Sequence, residues 1–499
     1  MHTGLPGPDG GLGLMFARDL NPTEVEGVLG ALLPTGARWT ARYSSEDGQF
    51  IACRQDIPQP LFTGSTEGVA VTVYLPGGGI GWGAYRDTGR DGLRRAAEFA
   101  LDWAQASEGL LLAGLSDAPL PVDRGEYGSR PAQPWDGLPL SERIDEVRRA
   151  CAALKIDDRI VDWSAHVGHR ITRTRLFSSA GADIHQHFEF LTPGLSATAN
   201  VGASTERRTG GGVNSGRQGG VEQLFDVGFA GDAARVAEEA LALLYAEDCP
   251  SGVRDLVLMP SQLVLQIHES IGHPLELDRI LGDERNYAGT SFVTPDMFGA
   301  YRYGSPLLNV TFDPGRPEQI ASYGWDDEGM RAQREYLIRD GVLLRPLGGG
   351  LSQARSGLPG VSSARACQWN RPPIDRMANL NLEPGDSTLE ALIAGVEDGV
   401  LMDTNRSWSI DDSRNKFQFG CEYGRLIRDG ELRGLVRNPN YRGISAGFWR
   451  SLDGVGTGAD LRVAGVTNCG KGEPNQSIYV GHATPPCRFR GVEIFGALE

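Results

Sequence analysis

The chain has 499 residues, 40% hydrophobic and 22% charged, an ordinary globular composition with room for roughly two or three domains and sizeable cores. Its 48 Lys and Arg against 64 Asp and Glu give a net charge of −16. That excludes a nucleic-acid partner from first consideration, because phosphate backbones are held by clustered cations. Seven cysteines without close pairs fit reduced thiols in a cytoplasmic protein, and no apolar run approaches membrane-spanning length.

Residues 1–14 are Gly/Pro-rich without a basic or apolar run, so they read as a flexible N-terminus carrying neither signal peptide nor anchor. Ordered structure is expected from about Met15, with a first helix opened by Asn21-Pro22 and carrying Val25, Val28, Leu29 and Leu32. Gly68 to Tyr85 reads as strand, glycine turn and strand, and neither nucleotide-loop pattern is completed there. A helix over Leu93–Ala106, with Ala96, Ala97, Ala100, Leu101 and Ala104 inward, should pack on that hairpin.

Residues 115–140 are rich in proline and glycine, a linker or crossover and a possible boundary. Ser141–Leu154 is an amphipathic helix with Ile144, Val147, Cys151 and Leu154 on one face, and Ile171–Phe177 and His185–Leu191 are strands. His185 and His187 have strand spacing but no acidic or cysteine partner, so they read as groove-facing polar residues, as do His166 and His169. Residues 205–220, with Arg207, Arg208 and six glycines, read as a mobile loop able to cover substrate. A helix over Asp232–Ala246 closes an α/β N-terminal region, 15–248, and Cys249-Pro250-Ser251-Gly252 marks its end.

Residues 249–499 are β-rich and mostly antiparallel in expectation, which makes the whole an α+β protein. Strands are expected at Leu256–Leu258 and Val310–Phe312. Asp340-Gly341 and Asp429-Gly430 sit between apolar runs and predict two type I′ hairpins, a hint of pseudo-repeated units. A short helix over Ser387–Gly399 is opened by the box Ser387-x-x-Glu390.

Chemistry concentrates in His268-Glu269-Ser270-Ile271-Gly272-His273-Pro274. A helical His-Glu with a second His about a turn later builds catalytic zinc sites, the Glu activating water. Here three residues separate Glu269 from His273, and positions five apart on an α-helix diverge by roughly 140°. The helix, read from Gln262 with Ser261 as cap, must therefore open or end. Gly272 permits this, Pro274 withholds the hydrogen bond due to the Ser270 carbonyl, and Pro274 biases His273 away from the α region. A third ligand is needed. Glu276, Asp278, Asp283 and Glu284 are nearby, but Cys469, between Asn468 and Gly470-Lys471, is the sharper candidate.

His-Glu-x-x-x-His with Pro274-Leu275-Glu276 after it, and Cys469-Gly470-Lys471 near the C-terminus, resembles the TldD/TldE (PmbA) family of metallopeptidases. The likeness extends to Gly68–Tyr74, Trp82–Tyr85, Tyr323–Gly329 and Arg376-Met-Ala-Asn379, though Glu473-Pro474-Asn475-Gln476 stands where the family reads Gly-Gln. The resemblance implies Zn²⁺ bound by His268, His273 and Cys469, a TldD-type subunit, a TldE/PmbA-like partner subunit (or a homodimer), and small or unfolded peptides as substrates. The expected reaction is peptide-bond hydrolysis with Glu269 as general base and Lys471 either stabilising the oxyanion or neutralising the thiolate. Two other readings stay open: an amide hydrolase in small-molecule or peptide natural-product maturation, and a binding or scaffold subunit with a structural metal.

Overall fold

The computed structural model describes residues 20–111, 115, 118–210, 215–287 and 289–496. The readings made for residues 1–14 and for an ordered start at Met15 lie outside them.

The N-terminal region is built on one nine-stranded sheet. Its main path runs Ile80–Tyr85, Phe62–Tyr74, Arg38–Arg54, Ile160–Ser178, Asp183–Val201 and Arg124–Gly128, antiparallel except for the last pair. Strand alternation sorts the two faces. From Arg38–Arg54, Ala41, Tyr43, Ile51 and Cys53 point into cores under helices, while Arg42, Ser44 and Glu46 line a cavity of about 90 Å³ facing the C-terminal half. The helices Pro22–Leu32, Arg90–Ser107, Leu140–Ala152 and Ala233–Leu243 supply the covering apolar faces, and Asn21 caps the first in a full capping box. Helix Arg90–Ser107 lies directly on the predicted hairpin. A Cβ on Gly81 would come within 1.9 Å of the Ala100 carbonyl, so glycine sets the distance of approach.

Two expectations for this region change. The proline-rich stretch 115–140 is more than a linker, since Arg124–Gly128 pairs in parallel with Asp183–Val201 as a sheet strand. The supposed lid also begins as structure: Ser204–Gly210 is a strand on the end of Asp183–Val201. Arg208 is 1% exposed and meets Glu239 at 2.8 Å and Asp403 and Glu422 at 3.2 Å each. Basic residues among glycines resemble a solvated loop in sequence, but here their partners are supplied from elements up to 214 residues away. Residues 211–214 of that stretch lie outside the described set.

The C-terminal half holds an eight-stranded and a six-stranded sheet, mostly antiparallel. Its core includes the helix Pro260–Ile267, whose Leu263, Val264 and Ile267 share one cluster with Leu256, Val310, Phe312, Leu380 and Val480. Its Gln262 and Gln266 are buried too. The Tyr441 hydroxyl links them, accepting from Gln262 Nε2 and donating to Gln266 Oε1, each at 3.0 Å. Both Asp-Gly hairpins form, with Asp340 and Gly341 at φ 48° and 76° and Asp429 and Gly430 at 50° and 78°. The short helix covers only Leu389–Ala394, and its cap is Thr388, which accepts from Ala391 N–H at 3.2 Å. Ser387, the expected cap, instead joins Val455 and Gly456 through its backbone.

The Arg208 cluster yields a prediction, because removing one member of a buried ion cluster leaves the others uncompensated. Arg208→Met is expected to lower stability by about 3–5 kcal/mol, seen as a lower urea midpoint. An unchanged midpoint contradicts that role.

Candidate metal centre

Pro260, rather than Ser261, sets the start of the site helix. Met259 is the capping residue and Pro260 occupies the first helical position, where a missing N–H has no cost. Ser261 lies inside the first turn, bonded to Asp403 through its hydroxyl. After Ile267 the helix widens into a π turn over His268–Gly272, and His273 N–H donates to the His268 carbonyl five residues back. This offset brings onto one side two residues that an α-helix would separate. The His268 and His273 rings lie 4.9 Å apart, nearly perpendicular.

The helix therefore opens rather than ends. The Ser270 carbonyl, which Pro274 cannot serve, accepts from the Tyr303 hydroxyl. His273 keeps α-type angles, φ −59° and ψ −40°, against the expected effect of Pro274. The reason is that a tight turn, His273–Leu275, follows at once and holds Pro274 in its first positions, where proline is tolerated. Gly272 has φ −59°, so its glycine identity answers to packing: a Cβ there would meet Met377 Sδ at 2.0 Å.

Cys469 arrives on strand Arg462–Lys471, paired with Gln476–Thr484. The register runs Val466 to Val480 and then Cys469 to Ile478, so one extra residue bulges between them and re-aims Cys469. Donor atoms of His268, His273 and Cys469 lie within 4.8 Å of one another, the metal-capable group found among the described residues. Cys469 Sγ is 3.6 Å from His273 Nε2. The other ring nitrogens face away: His273 Nδ1 meets Glu276 Oε2 at 2.9 Å, and His268 Nδ1 meets His482 Nε2 at 2.9 Å. Burial holds both His268 and His273 below the ordinary imidazole range.

Charge around the thiol is balanced by Arg376 and His273. Burial pushes the Cys469 thiol up, but Arg376 and His273 outweigh it and hold the thiol below its usual value. Arg376 donates to Cys469 Sγ at 3.0 Å and to its carbonyl at 2.6 Å. Glu276 is held well below the carboxylate range, since Lys471, His273 and Arg279 override the opposing effect of burial.

Lys471 departs from the oxyanion or thiolate role expected of it. It is fully buried, with Nζ 2.5 Å from Asp278 Oδ1, bonded to the Asp375 carbonyl and 3.6 Å from Glu276 Oε2. Its three donors are thus directed at carboxylates and a carbonyl behind the ligands. The four nearby acids are likewise engaged elsewhere: Glu276 on His273, Asp278 on Lys471, Asp283 on Arg355, and Glu284 on Gly472 N–H. Glu269 points to a different cation. Arg414 Nη1 donates to its Oε2 at 2.9 Å from the tip between Asp398–Ile410 and Lys416–Arg428, at a left-handed φ of 61°. His169 and His185 meet the acids Glu189 and Asp183, at 3.1 and 3.0 Å, so His185 does have the acidic partner its own segment did not suggest.

The sequence reading missed His482, Arg376 and Arg414. Arg376 stood in a recognised motif, Arg376-Met-Ala-Asn379, and both Arg376 and Met377 prove to touch the site. His482 carried only the signal of a lone histidine on the strand paired with that of Cys469.

Two helical histidines and a distant cysteine thus form the metal-capable group among the described residues, and relatives of the chain are metallopeptidases. The chain belongs to the PmbA/TldD family: residues 251–496 match the "PmbA/TldA metallopeptidase C-terminal domain" and residues 133–244 the central domain. A "Metalloprotease" of Methanothermobacter thermautotrophicus is 29% identical over 74% of this chain and 77% of its own length. A "Zinc metalloprotease TldD homolog" of Saccharolobus solfataricus is 25% identical over 49% of this chain and 52% of its own. Among solved structures, TldE from Thermococcus kodakarensis shares the fold with a TM-score of 0.72 at 14% identity, covering 94% of this chain and 100% of that one.

If Cys469 completes the group, Cys469→Ala should lower bound metal per chain, measured by elemental analysis after dialysis against dilute zinc. Full retention of metal removes Cys469 from the site.

Proposed function

We propose that the chain is a zinc-dependent peptidase of the TldD type that hydrolyses small or unfolded peptides in the cytoplasm. The observation that supports it most is the 3.6 Å spacing of Cys469 Sγ and His273 Nε2. Zinc bonds of roughly 2.3 Å to sulfur and 2.0–2.1 Å to nitrogen at tetrahedral angles require about that separation. A group of three donors leaves a fourth position for reaction, whereas a structural ion in a scaffold subunit would be closed by a fourth protein ligand.

Zinc held there would polarise the scissile carbonyl and make water a competent nucleophile at neutral pH. The protein's own residues carry the proton. Glu269, next to His268 on the same turn, takes it from the attacking water and returns it to the leaving amine. Arg414 fixes one oxygen of that carboxylate, so the base is presented in a single orientation. Lys471 is assigned a positioning role, through Glu276 to His273 and through Asp278 to the turn beyond.

The substrate class follows from access. Donor-bearing residues are only 3–4% exposed and Glu269 5%, too enclosed for a folded protein's surface loop. Strand Arg462–Lys471 is an edge of the six-stranded sheet, and Asn468 and Gly470 beside Cys469 are exposed. An extended peptide can add to such an edge by backbone hydrogen bonds with little dependence on sequence. A TldE/PmbA-like subunit is the proposed partner, supported by family membership and by the fold shared with TldE.

One experiment covers catalysis and substrate. Offered one protein in native and unfolded forms, with zinc and a TldE-like subunit, the chain should cut the unfolded form and spare the native one. Glu269→Gln should keep its metal and lose roughly 10²–10⁴-fold in turnover. Equal cleavage of both forms contradicts the enclosed site, and undiminished turnover in the variant reassigns Glu269 to structure.

A further inference from the structure

The ring behind His268 is another imidazole, not the carboxylate, carbonyl or water that usually receives the outer N–H of a metal-binding histidine. His482 sits on Gln476–Thr484, opposite Leu380 on one side and Ala464 on the other, and is fully buried. Its Nδ1 lies 3.0 Å from the Leu380 carbonyl and its Nε2 2.9 Å from His268 Nδ1.

These two contacts fix every proton in the chain of groups. A carbonyl only accepts, so His482 Nδ1 carries the hydrogen and donates it to Leu380. A neutral imidazole has one N–H, so His482 Nε2 is a lone pair and must accept from His268 Nδ1. His268 Nε2 is then left as a lone pair directed to the shared group with His273 and Cys469. The opposite tautomer of His268 would set two lone pairs against each other at 2.9 Å and turn an N–H toward the metal position.

We propose that His482 is a positioning residue for the metal, holding His268 in its Nε2-ligating tautomer by a relay that ends on the Leu380 carbonyl. The proposal rests on the zinc reading above and extends it to a residue outside the ligand set. It makes the two ligands unequal: His273 is backed by the Glu276 carboxyl group, His268 by a second imidazole.

The test compares two amides of different reach in the full chain. In His482→Gln the amide oxygen can occupy the place of Nε2 and accept from His268. In His482→Asn the amide corresponds in position to Nδ1, so it can still meet the Leu380 carbonyl but falls short of His268. Zinc affinity is read by competition with a chromophoric chelator, the tetrahedral thiolate site by the visible bands of cobalt-substituted protein, and folding by thermal melts of the metal-free forms. His482→Asn should weaken zinc binding about 10–100-fold and alter the cobalt bands, while His482→Gln stays within about threefold of wild type. Should His482→Asn fail to fold, His482→Leu takes its place as the variant lacking an acceptor. Equal affinities for all variants, or equal loss in Gln and Asn, overturn the assignment. Wild-type protein that binds no zinc overturns the zinc reading itself, and the positioning role with it.

Discussion

Two imidazoles five residues apart can share one ion only where a helix takes an extra residue into its turn, and much of the C-terminal core is arranged to hold that turn. Ser270 is its pivot. Its carbonyl, denied a helical donor by Pro274, is met by Tyr303. Its hydroxyl donates to the Gln266 carbonyl and receives Trp449 Nε1 at 2.9 Å and Gln266 Nε2 at 2.8 Å. Met377 presses on Gly272 from outside, where no side chain fits. A π turn is a rare form, and here its displaced Ser270 carbonyl finds a partner in the buried Tyr303 of the core around it.

The second constraint is charge. A thiolate and several carboxylates cannot be buried together without cations, since uncompensated buried charge is among the costliest arrangements in a protein. Arg376 serves Cys469, Lys471 and Arg279 serve Glu276, and Lys471 also serves Asp278. Asp278 and Asp375 accept from each other's backbone N–H at 3.2 and 2.9 Å, and burial raises both carboxyls. The Cys-Gly-Lys segment thereby supplies a candidate ligand and, two residues later, the cation that steadies the carboxylate behind a second ligand.

What could be read from sequence was what chain-local physics encodes. The spacing of His268 and His273 required a distorted helix, Asp-Gly pairs predicted two hairpins, and apolar periodicity located the long helices. Cys469 could be nominated because a thiol followed by Gly470 and Lys471 is well placed to be deprotonated and to reach a metal. What failed depended on partners far along the chain. Arg208 among glycines looked solvated because Glu239, Asp403 and Glu422 are invisible from its own segment. Lys471 looked catalytic because Asp278 and Glu276 could not be placed behind it. Ser261 and Ser387 were reasonable caps, displaced by two residues and by one when Pro260 and the Gly456 bridge settled the backbone. His482 could not be distinguished from an ordinary core histidine, because its function lies wholly in its contact with His268.

The central claim is that His268, His273 and Cys469 form an open, three-donor zinc site. X-ray absorption at the zinc edge of the purified, zinc-loaded chain tests it most directly. The account predicts one sulfur at about 2.3 Å, two imidazole nitrogens at about 2.0–2.1 Å and one lighter non-protein ligand. A first shell without sulfur, or one filled by four protein donors, would contradict it.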